Sequence, residues 1–328
     1  MERAVLDLGL ASSASMSQIL RLAAVAERTG VHGIWIGEDI GRGYDIFTQA
    51  SIMMLNAPTK NIGIGVTSPK VRNISTIARA AAALREIDPA RFRLGLGVGG
   101  LQDLARLGLT VEKPVAMLKE SVDALRRIWA GETLTLRGET FHLRQFLARY
   151  RPGFSIPLYL GVRGPSLLRL AGRIADGVIL SGPLAYLKKA LEMVRTGAIG
   201  GGSTSRPRSV VWLPTLVVRT KMDRELAKAV AATVIADTPP SVLEMAGISD
   251  NAVERIRKTA RQRSYRAASK HVTKELLDSF TISGDAKYIC EVFQSLAKLG
   301  ADEVVFGPPY GSSVGRSIHE VIRAWERL

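Results

Sequence analysis

The chain holds a single cysteine, Cys290, in 328 residues. One thiol excludes an internal disulfide and a cysteine-built metal site. Cys290 falls in an apolar helical stretch and reads as buried filler. Histidines are scarce too: His32, His142, His271 and His319 are scattered, and none ends a predicted strand. Aromatic residues make up only 6% of the chain. They do not alternate with basic residues as an RNA-binding sheet requires, and zinc-finger spacing is absent. No apolar run approaches the roughly 20 residues that cross a bilayer. The N-terminus lacks a charged segment followed by an apolar core. These absences predict a soluble, cytoplasmic protein with neither membrane nor nucleic acid as partner. Positive charge is in surplus, with 45 Lys+Arg against 30 Asp+Glu and a formal charge of +15. The basic residues are spread along the chain, densest from Arg255 to Lys274. Such a surface attracts small polyanions such as phosphorylated cofactors.

Against these absences stands a 46% hydrophobic content, enough to bury a large core in one barrel-sized domain or two smaller ones. The organising stretch runs from Asn61 to Gly100. Asn61 to Ser68 is a short apolar strand with glycines inside it. Ser75 is placed to cap a helix running to Ile87. Arg91 to Val98 is a second strand, ending in Gly99-Gly100. Two strands joined by a helix form a parallel βαβ unit. Glycine inside a strand marks a bulge or a close approach by a ligand.

The same rhythm runs through the whole chain. Ala4–Leu10 is strand one, and a helix follows over Gln18–Thr29. Gly33–Ile36 is strand two, closed by Gly37-Glu38-Asp39, with a helix over Tyr44–Leu55. Pro114 opens a helix to Trp129. Glu132–Leu143 reads as a hairpin turning at Arg137-Gly138. Leu158–Val162 is strand five, and its helix runs from Pro165 to Ile174. Gly177–Leu180 is strand six, with a helix to Arg195, and Gly200–Pro207 reads as a mobile surface loop. Val210–Val218 is strand seven, and Met222 to about Ser279 is a long helical block. Asp285–Leu299 is a helix, Glu303–Gly307 is strand eight, and Val314–Arg327 is the last helix. Eight strands alternating with helices predict an α/β fold, a (β/α)8 TIM barrel formed by one domain over residues 1–328. A hairpin insertion at about 131–156 and a helical insertion at about 222–280 lie outside the repeat. A doubly wound open sheet is the alternative, since period alone does not prove closure.

In a barrel the site lies at the C-terminal ends of the strands. Those ends are poor in nucleophiles and rich in glycine, small hydroxyls and one arginine, Arg163. Such ends suit a flat ligand with a phosphorylated tail, held by backbone N–H groups. Gly95-Leu-Gly-Val-Gly-Gly100 matches Gly-x-Gly-x-x-Gly, and Glu120 follows at the spacing of a ribose contact. The match follows strand four rather than strand one, and Glu120 lies inside a helix, so a Rossmann site lacks its context. Glu38 and Asp39 are the adjacent acids at a strand end. They can cap the next loop, or they can contact a cofactor and handle a proton.

The chain resembles the luciferase-like flavin and deazaflavin oxidoreductases over nearly its whole length. Within them it is most similar to the coenzyme F420-dependent branch that contains methylenetetrahydromethanopterin reductase. The resemblance rests on Gly65-Val-Thr-Ser-Pro69, Arg91 to Gly99, Pro157 to Pro165, Leu170 to Val178 and Phe280 to Asp285. It implies a luciferase-like TIM barrel, assembled as a homodimer or homotetramer, with coenzyme F420 as cofactor and FMN as the alternative. It implies a bulge with a non-prolyl cis peptide at Gly65–Val66. It carries cofactor contacts over to Glu38, Gly65, Val66, Thr67, Ser68, Val98, Gly99, Arg163, Gly164, Ser166 and Leu167, with Arg163 facing phosphate.

Three positions depart from the pattern: Asp39 stands where relatives often hold histidine, Gly100 where an acid is common, and Gly9 where the reductase has glutamate. Asp39 then remains as the candidate catalytic residue. The expected activity is hydride transfer between reduced F420 and a small-molecule acceptor, a one-carbon pterin or a similar compound. An FMN-dependent monooxygenase and a binding protein without turnover are the rival readings.

Overall fold

Apolar strands that alternate with amphipathic helices bury both faces by curling the sheet inside a ring of helices. The computed structural model has this form, and it describes residues 4–148, 150, 153–202, 205–262 and 264–328. Its eight parallel strands are β1 (Val5–Ala11), β2 (Gly33–Gly37), β3 (Asn61–Thr67), β4 (Phe92–Gly97), β5 (Leu158–Gly161), β6 (Gly177–Leu180), β7 (Arg208–Trp212) and β8 (Glu303–Phe306). Each pairs with the next, and β8 pairs with β1 from Val5–Glu303 to Leu8–Phe306, which closes the barrel and excludes the open sheet.

The outer helices begin with α1 (Met16–Glu27), α2 (Ile46–Asn56), α3 (Ile74–Ile87), α4 (Leu101–Arg106), α5 (Pro114–Ala130), α6 (Pro165–Ile174) and α7 (Leu184–Gly200). Between β7 and β8 lie α8 (Lys221–Ala236), α9 (Pro240–Ala246), α10 (Asp250–Gln262), α11 (Tyr265–Ala268), α12 (Lys274–Phe280) and α13 (Ala286–Leu299), and α14 (Val314–Glu326) ends the chain. Local chemistry sets many boundaries. Ser15 and Gln18 cap α1 reciprocally. Pro114 and Pro165 sit in the first turns of α5 and α6, where no N–H is needed. The cap of α3 is Asn73 rather than Ser75: its Oδ1 accepts from the Ser75 N–H at 2.9 Å and the Ser75 hydroxyl at 2.7 Å. The α3 face turned to the core is Ile77, Ala78 and Ala81, all fully buried with Ile62 and Ile64 of β3 in one apolar cluster.

Strand seven differs from the expectation of one run from Val210 to Val218. The barrel strand stops at Trp212, because Pro214 has no N–H to continue the ladder. Thr215–Val217 then joins Ile282–Gly284 and Pro309–Tyr310 in a separate parallel sheet outside the barrel. Both halves are buried, so the apolar run reads as one strand in sequence. The rim of strand seven is therefore Trp212-Leu213-Pro214, short of the expected end at Val218.

The loop expected from Gly200 to Pro207 is shorter at its start, since α7 runs through Gly200. Arg206 pairs with both oxygens of Asp302, at 2.5 and 2.6 Å. Ser203 and Thr204 lie outside the described residues. The hairpin pairs Leu134–Arg137 with His142–Phe146. Glu120, the acid at ribose-contact spacing, braces it by accepting from the Glu139 N–H at 2.7 Å and the Thr140 hydroxyl at 2.6 Å. The helices α8 to α12 enclose an apolar cluster of their own, with Ala231, Ile235, Leu243, Ile256 and Phe280 at its centre.

Candidate active site

The mouth of the barrel is shaped by one extra residue. Ile64 faces Leu94, but Thr67 faces Leu96, so three steps along β3 match two along β4. Such a mismatch is a β-bulge. The Gly65–Val66 peptide at its centre is cis. The bulge throws the Val66 side chain across the ends of β4 and β5. A Cβ at Gly97 would lie 2.4 Å from Val66 Cγ2, and one at Gly161 would lie 2.5 Å from Val66 Cγ1. These strand glycines therefore make room for the chain's own bulge.

Two joined cavities open above the bulge and share Gly37, Gly65, Val66 and Gly161 to Arg163. The polar lobe, about 460 Å³, is walled by Glu38, Ser68, Val98, Gly99 and Gly100 on one side and by Leu167, Asp237 and Pro239 on the other. The apolar lobe, about 390 Å³, is walled by Ile179, Trp212, Pro214 and Pro308, with Val230 and Val234 reaching in from α8. Ser181 and Arg163 supply its polar side chains. Among the described residues, no carboxyl, imidazole or thiol lines the apolar lobe.

The sequence-derived candidates fall into place around the polar lobe. Glu38, Gly65, Val66, Ser68, Val98, Gly99, Arg163 and Leu167 line it. Ser68 donates to the Val98 carbonyl at 2.7 Å and so ties the end of β3 to the end of β4. Thr67 is fully buried behind the wall and donates to Glu38 Oε2 at 2.8 Å. Gly164, with φ of 81°, caps α6, and Ser166 is exposed in that helix's first turn. Arg163 spans the lobe toward the helical insertion, its Nη1 3.5 Å from the Asp237 carbonyl. Asp39 is placed differently. Its Oδ1 accepts from the Arg42 N–H at 3.1 Å, which caps the turn after β2, and its side chain is not in either wall.

Glu38 is held from behind. Arg72 donates to its Oε1 through Nη2 at 2.6 Å and Nε at 3.2 Å, and also pairs with Asp45 at 2.8 Å. Burial disfavours the Arg72 cation, but its bonds to Glu38 and Asp45 outweigh this and raise its pKa.

Beneath the mouth the barrel is filled by Trp35, Tyr159, Ile179, Val210 and Val305, with Val66 and Trp212 packed against them. Burial pushes the Tyr159 phenol up to about 12. Below that layer the Trp35 indole donates to Asp7 at 2.9 Å and Glu303 at 3.2 Å, and Arg93 pairs with Glu303 at 2.8 Å. Burial and the Asp7 charge raise the Glu303 carboxyl. Burial acts the same way on Asp7, but bonds to His32 and Glu303 prevail and hold it low. His32, 3.2 Å from Asp7, belongs to this floor and not to the mouth. Trp212 stands over the first strand: a Cβ at Gly9 would meet it at 2.7 Å and the Gly307 carbonyl at 2.2 Å. Its indole N–H donates to that carbonyl at 2.6 Å.

The sequence reading missed Arg72, Trp212, Asp237 and the α8 valines. Pro214, two residues after Trp212, was the available signal for the end of strand seven.

A family model described as luciferase-like monooxygenase matches residues 4–303. The chain belongs to the luciferase-like family. Within that family it is 32% identical over 302 residues, 90% of each chain, to the 5,10-methylenetetrahydromethanopterin reductase of Archaeoglobus fulgidus. The luciferase-like barrel also superposes on the coenzyme F420-dependent tetrahydromethanopterin reductase of Methanopyrus kandleri, with a TM-score of 0.87, 22% identity and 99% of each chain covered. An F420-dependent secondary alcohol dehydrogenase, solved with an F420-acetone adduct, gives a TM-score of 0.80 at 17% identity, with 98% of each chain covered. Both structures share this fold.

Proposed function

We propose that this luciferase-like protein is a coenzyme F420-dependent oxidoreductase acting on a one-carbon pterin of the methylenetetrahydromethanopterin type or a similar acceptor. The observation that carries the reading is a polar lobe joined to an apolar lobe that has no acid or base in its wall. The tetrahydromethanopterin reductase and the secondary alcohol dehydrogenase that share this fold are both F420-dependent. The polar lobe fits such a group: a carboxylate, a hydroxyl and glycine-lined backbone face it from β2, β3 and β4, and Arg163 and the start of α6 flank it.

In this reading Glu38, Gly65, Val66, Ser68, Val98 and Gly99 hold the deazaflavin ring, and Thr67 supports Glu38 from behind. Arg163, Gly164, Ser166 and Leu167 face the phosphorylated tail, where the N-terminus of α6 favours negative charge. When bound, reduced F420 supplies a hydride. Ile179, Trp212, Val230 and Val234 exclude water from the acceptor side. An alcohol needs a base to take its proton, whereas an iminium already carries the charge that a hydride neutralises. The apolar lobe suits the second kind of acceptor. Asp39 serves the turn after β2, and the proton role given to it is set aside.

The same reading takes the chain as one domain with two insertions, working in the cytoplasm as a homodimer or homotetramer. No helix among the described residues is long and apolar enough to cross a membrane. Leu20, Tyr44 and Leu55, on or beside α1 and α2, are exposed apolar side chains suited to a subunit contact.

The purified protein should retain F420, identified by absorbance and mass. Once loaded, it should transfer hydride to methylenetetrahydromethanopterin and leave secondary alcohols untouched. Bound FMN with oxygen-consuming turnover, or alcohol oxidation at a comparable rate, would overturn the assignment.

A further inference from the structure

We propose that Arg72 is a positioning residue for the cofactor, acting through Glu38. The inference rests on the reading of the polar lobe as the F420 site.

Four segments meet at this point. Glu38 follows β2, Thr67 ends β3, Asp45 caps α2, and Arg72 lies in the loop leading into α3. The Glu38 side chain is only 5% exposed, so its charge needs partners. Both of its oxygens are engaged: Oε1 by Arg72 Nε and Nη2, and Oε2 by the Thr67 hydroxyl at 2.8 Å. These three bonds leave one acceptor site of the carboxylate, on Oε2, in a residue that lines the polar lobe. Arg72 is fixed in turn. Its Nη1 meets Asp45 Oδ2 at 2.8 Å, and its guanidinium lies 5.6 Å from the centre of the Phe47 ring. Asp45 is itself held by the Thr48 N–H at 2.8 Å. The chain from α2 through Arg72 to Glu38 therefore has no loose member. Arg72 does not line either lobe, so its effect on a ligand passes through the carboxylate it holds.

A fixed carboxylate facing a ligand ring is an acceptor for an N–H donor, and it repels a ligand that offers only lone pairs. Arg72 thus makes Glu38 a reader of the ring's hydrogen-bonding edge.

The test is a double-mutant cycle on F420 affinity, read by fluorescence titration of the full-length protein. Arg72→Gln should weaken F420 binding about tenfold, the scale of a lost charge-assisted hydrogen bond. Arg72→Lys should recover part of that loss. In a Glu38→Gln background, Arg72→Gln should change the affinity by less than about twofold, since its route to the ligand is already cut. Melting curves of each variant show that it is folded. Equal losses in both backgrounds would make Arg72 a scaffold residue and overturn the proposal. An unchanged affinity in Glu38→Gln would overturn it by removing Glu38 from the ligand. If the wild-type protein binds no F420, the cofactor reading itself fails, an outcome distinct from both.

Discussion

At the scale of single residues, Arg163 and Asp39 received opposite treatment from the fold. Arg163 follows β5 in the walls of both lobes, with its guanidinium reaching the helical insertion. Arg163→Ala should weaken F420 binding by about 1–3 kcal/mol, the range for a hydrogen bond to a charged group. An isothermal titration with unchanged affinity would remove Arg163 from the site. Asp39 was expected to handle a proton, but its carboxylate faces the Arg42 N–H. Asp39→Ala should lower the melting temperature slightly, as loss of a loop cap does, and leave the single-turnover rate of hydride transfer intact. A lowered rate with an unchanged melting temperature would restore the catalytic assignment. The difference between these two residues was not legible in sequence. Both follow strand ends, but a side chain's direction after a strand end depends on the turn that follows. Arg72 was illegible for a similar reason, because its partner Glu38 is 34 positions away.

At the scale of elements, the glycines in β4 and β5 were legible as a sign of close approach, and the bulge in β3 followed from resemblance. What the pattern could not say was that the two belong together. Val66 occupies the space that side chains at Gly97 and Gly161 would need. Gly161→Ala should therefore displace the bulge and destabilise the fold by about 1–3 kcal/mol, the usual scale for overpacking. The Val66 Cγ1 methyl is the clashing atom, at 2.5 Å, while its Cβ stands at 3.6 Å. Adding Val66→Ala to Gly161→Ala should then recover most of the lost stability, measured by denaturant unfolding. Additive losses in the double variant would mean that the two residues do not share this space. Strand seven shows the opposite case. Its apolar run was plain, but one proline divided it between two sheets, and periodicity alone does not weigh a missing N–H.

At the scale of the whole molecule, the barrel was legible because eight strand–helix repeats are a global pattern. The joining of its additions was not, because it depends on a few polar side chains. Asp223 is the main one at the start of the helical insertion. It is fully buried in the first turn of α8. Its Oδ2 accepts from the N–H groups of Arg219 at 3.0 Å and Thr220 at 2.9 Å, and its Oδ1 from the Ser312 N–H at 2.6 Å. One carboxylate thus ties α8 to the segment after β8 that carries Pro308 into the apolar lobe. Burial alone would raise its pKa. The N–H donors of Arg219 and Ser312, with the Thr220 hydroxyl, outweigh that and hold it well below the ordinary carboxylate range. A depressed pKa in the folded state means stability that is present above the unfolded value, about 3.9 for an aspartate, and lost as the pH falls below it. Asp223→Asn should cost about 1.5–3 kcal/mol at neutral pH, since the replacement loses the charge that these donors face. The gap between wild type and variant should narrow steadily below about pH 4, because the unfolded wild-type chain then takes up a proton at Asp223 that the folded carboxylate still refuses. Denaturant unfolding of both proteins from pH 7 to pH 3 measures it. A gap that stays constant on acidification would show that the Asp223 charge does not hold the insertion to the barrel.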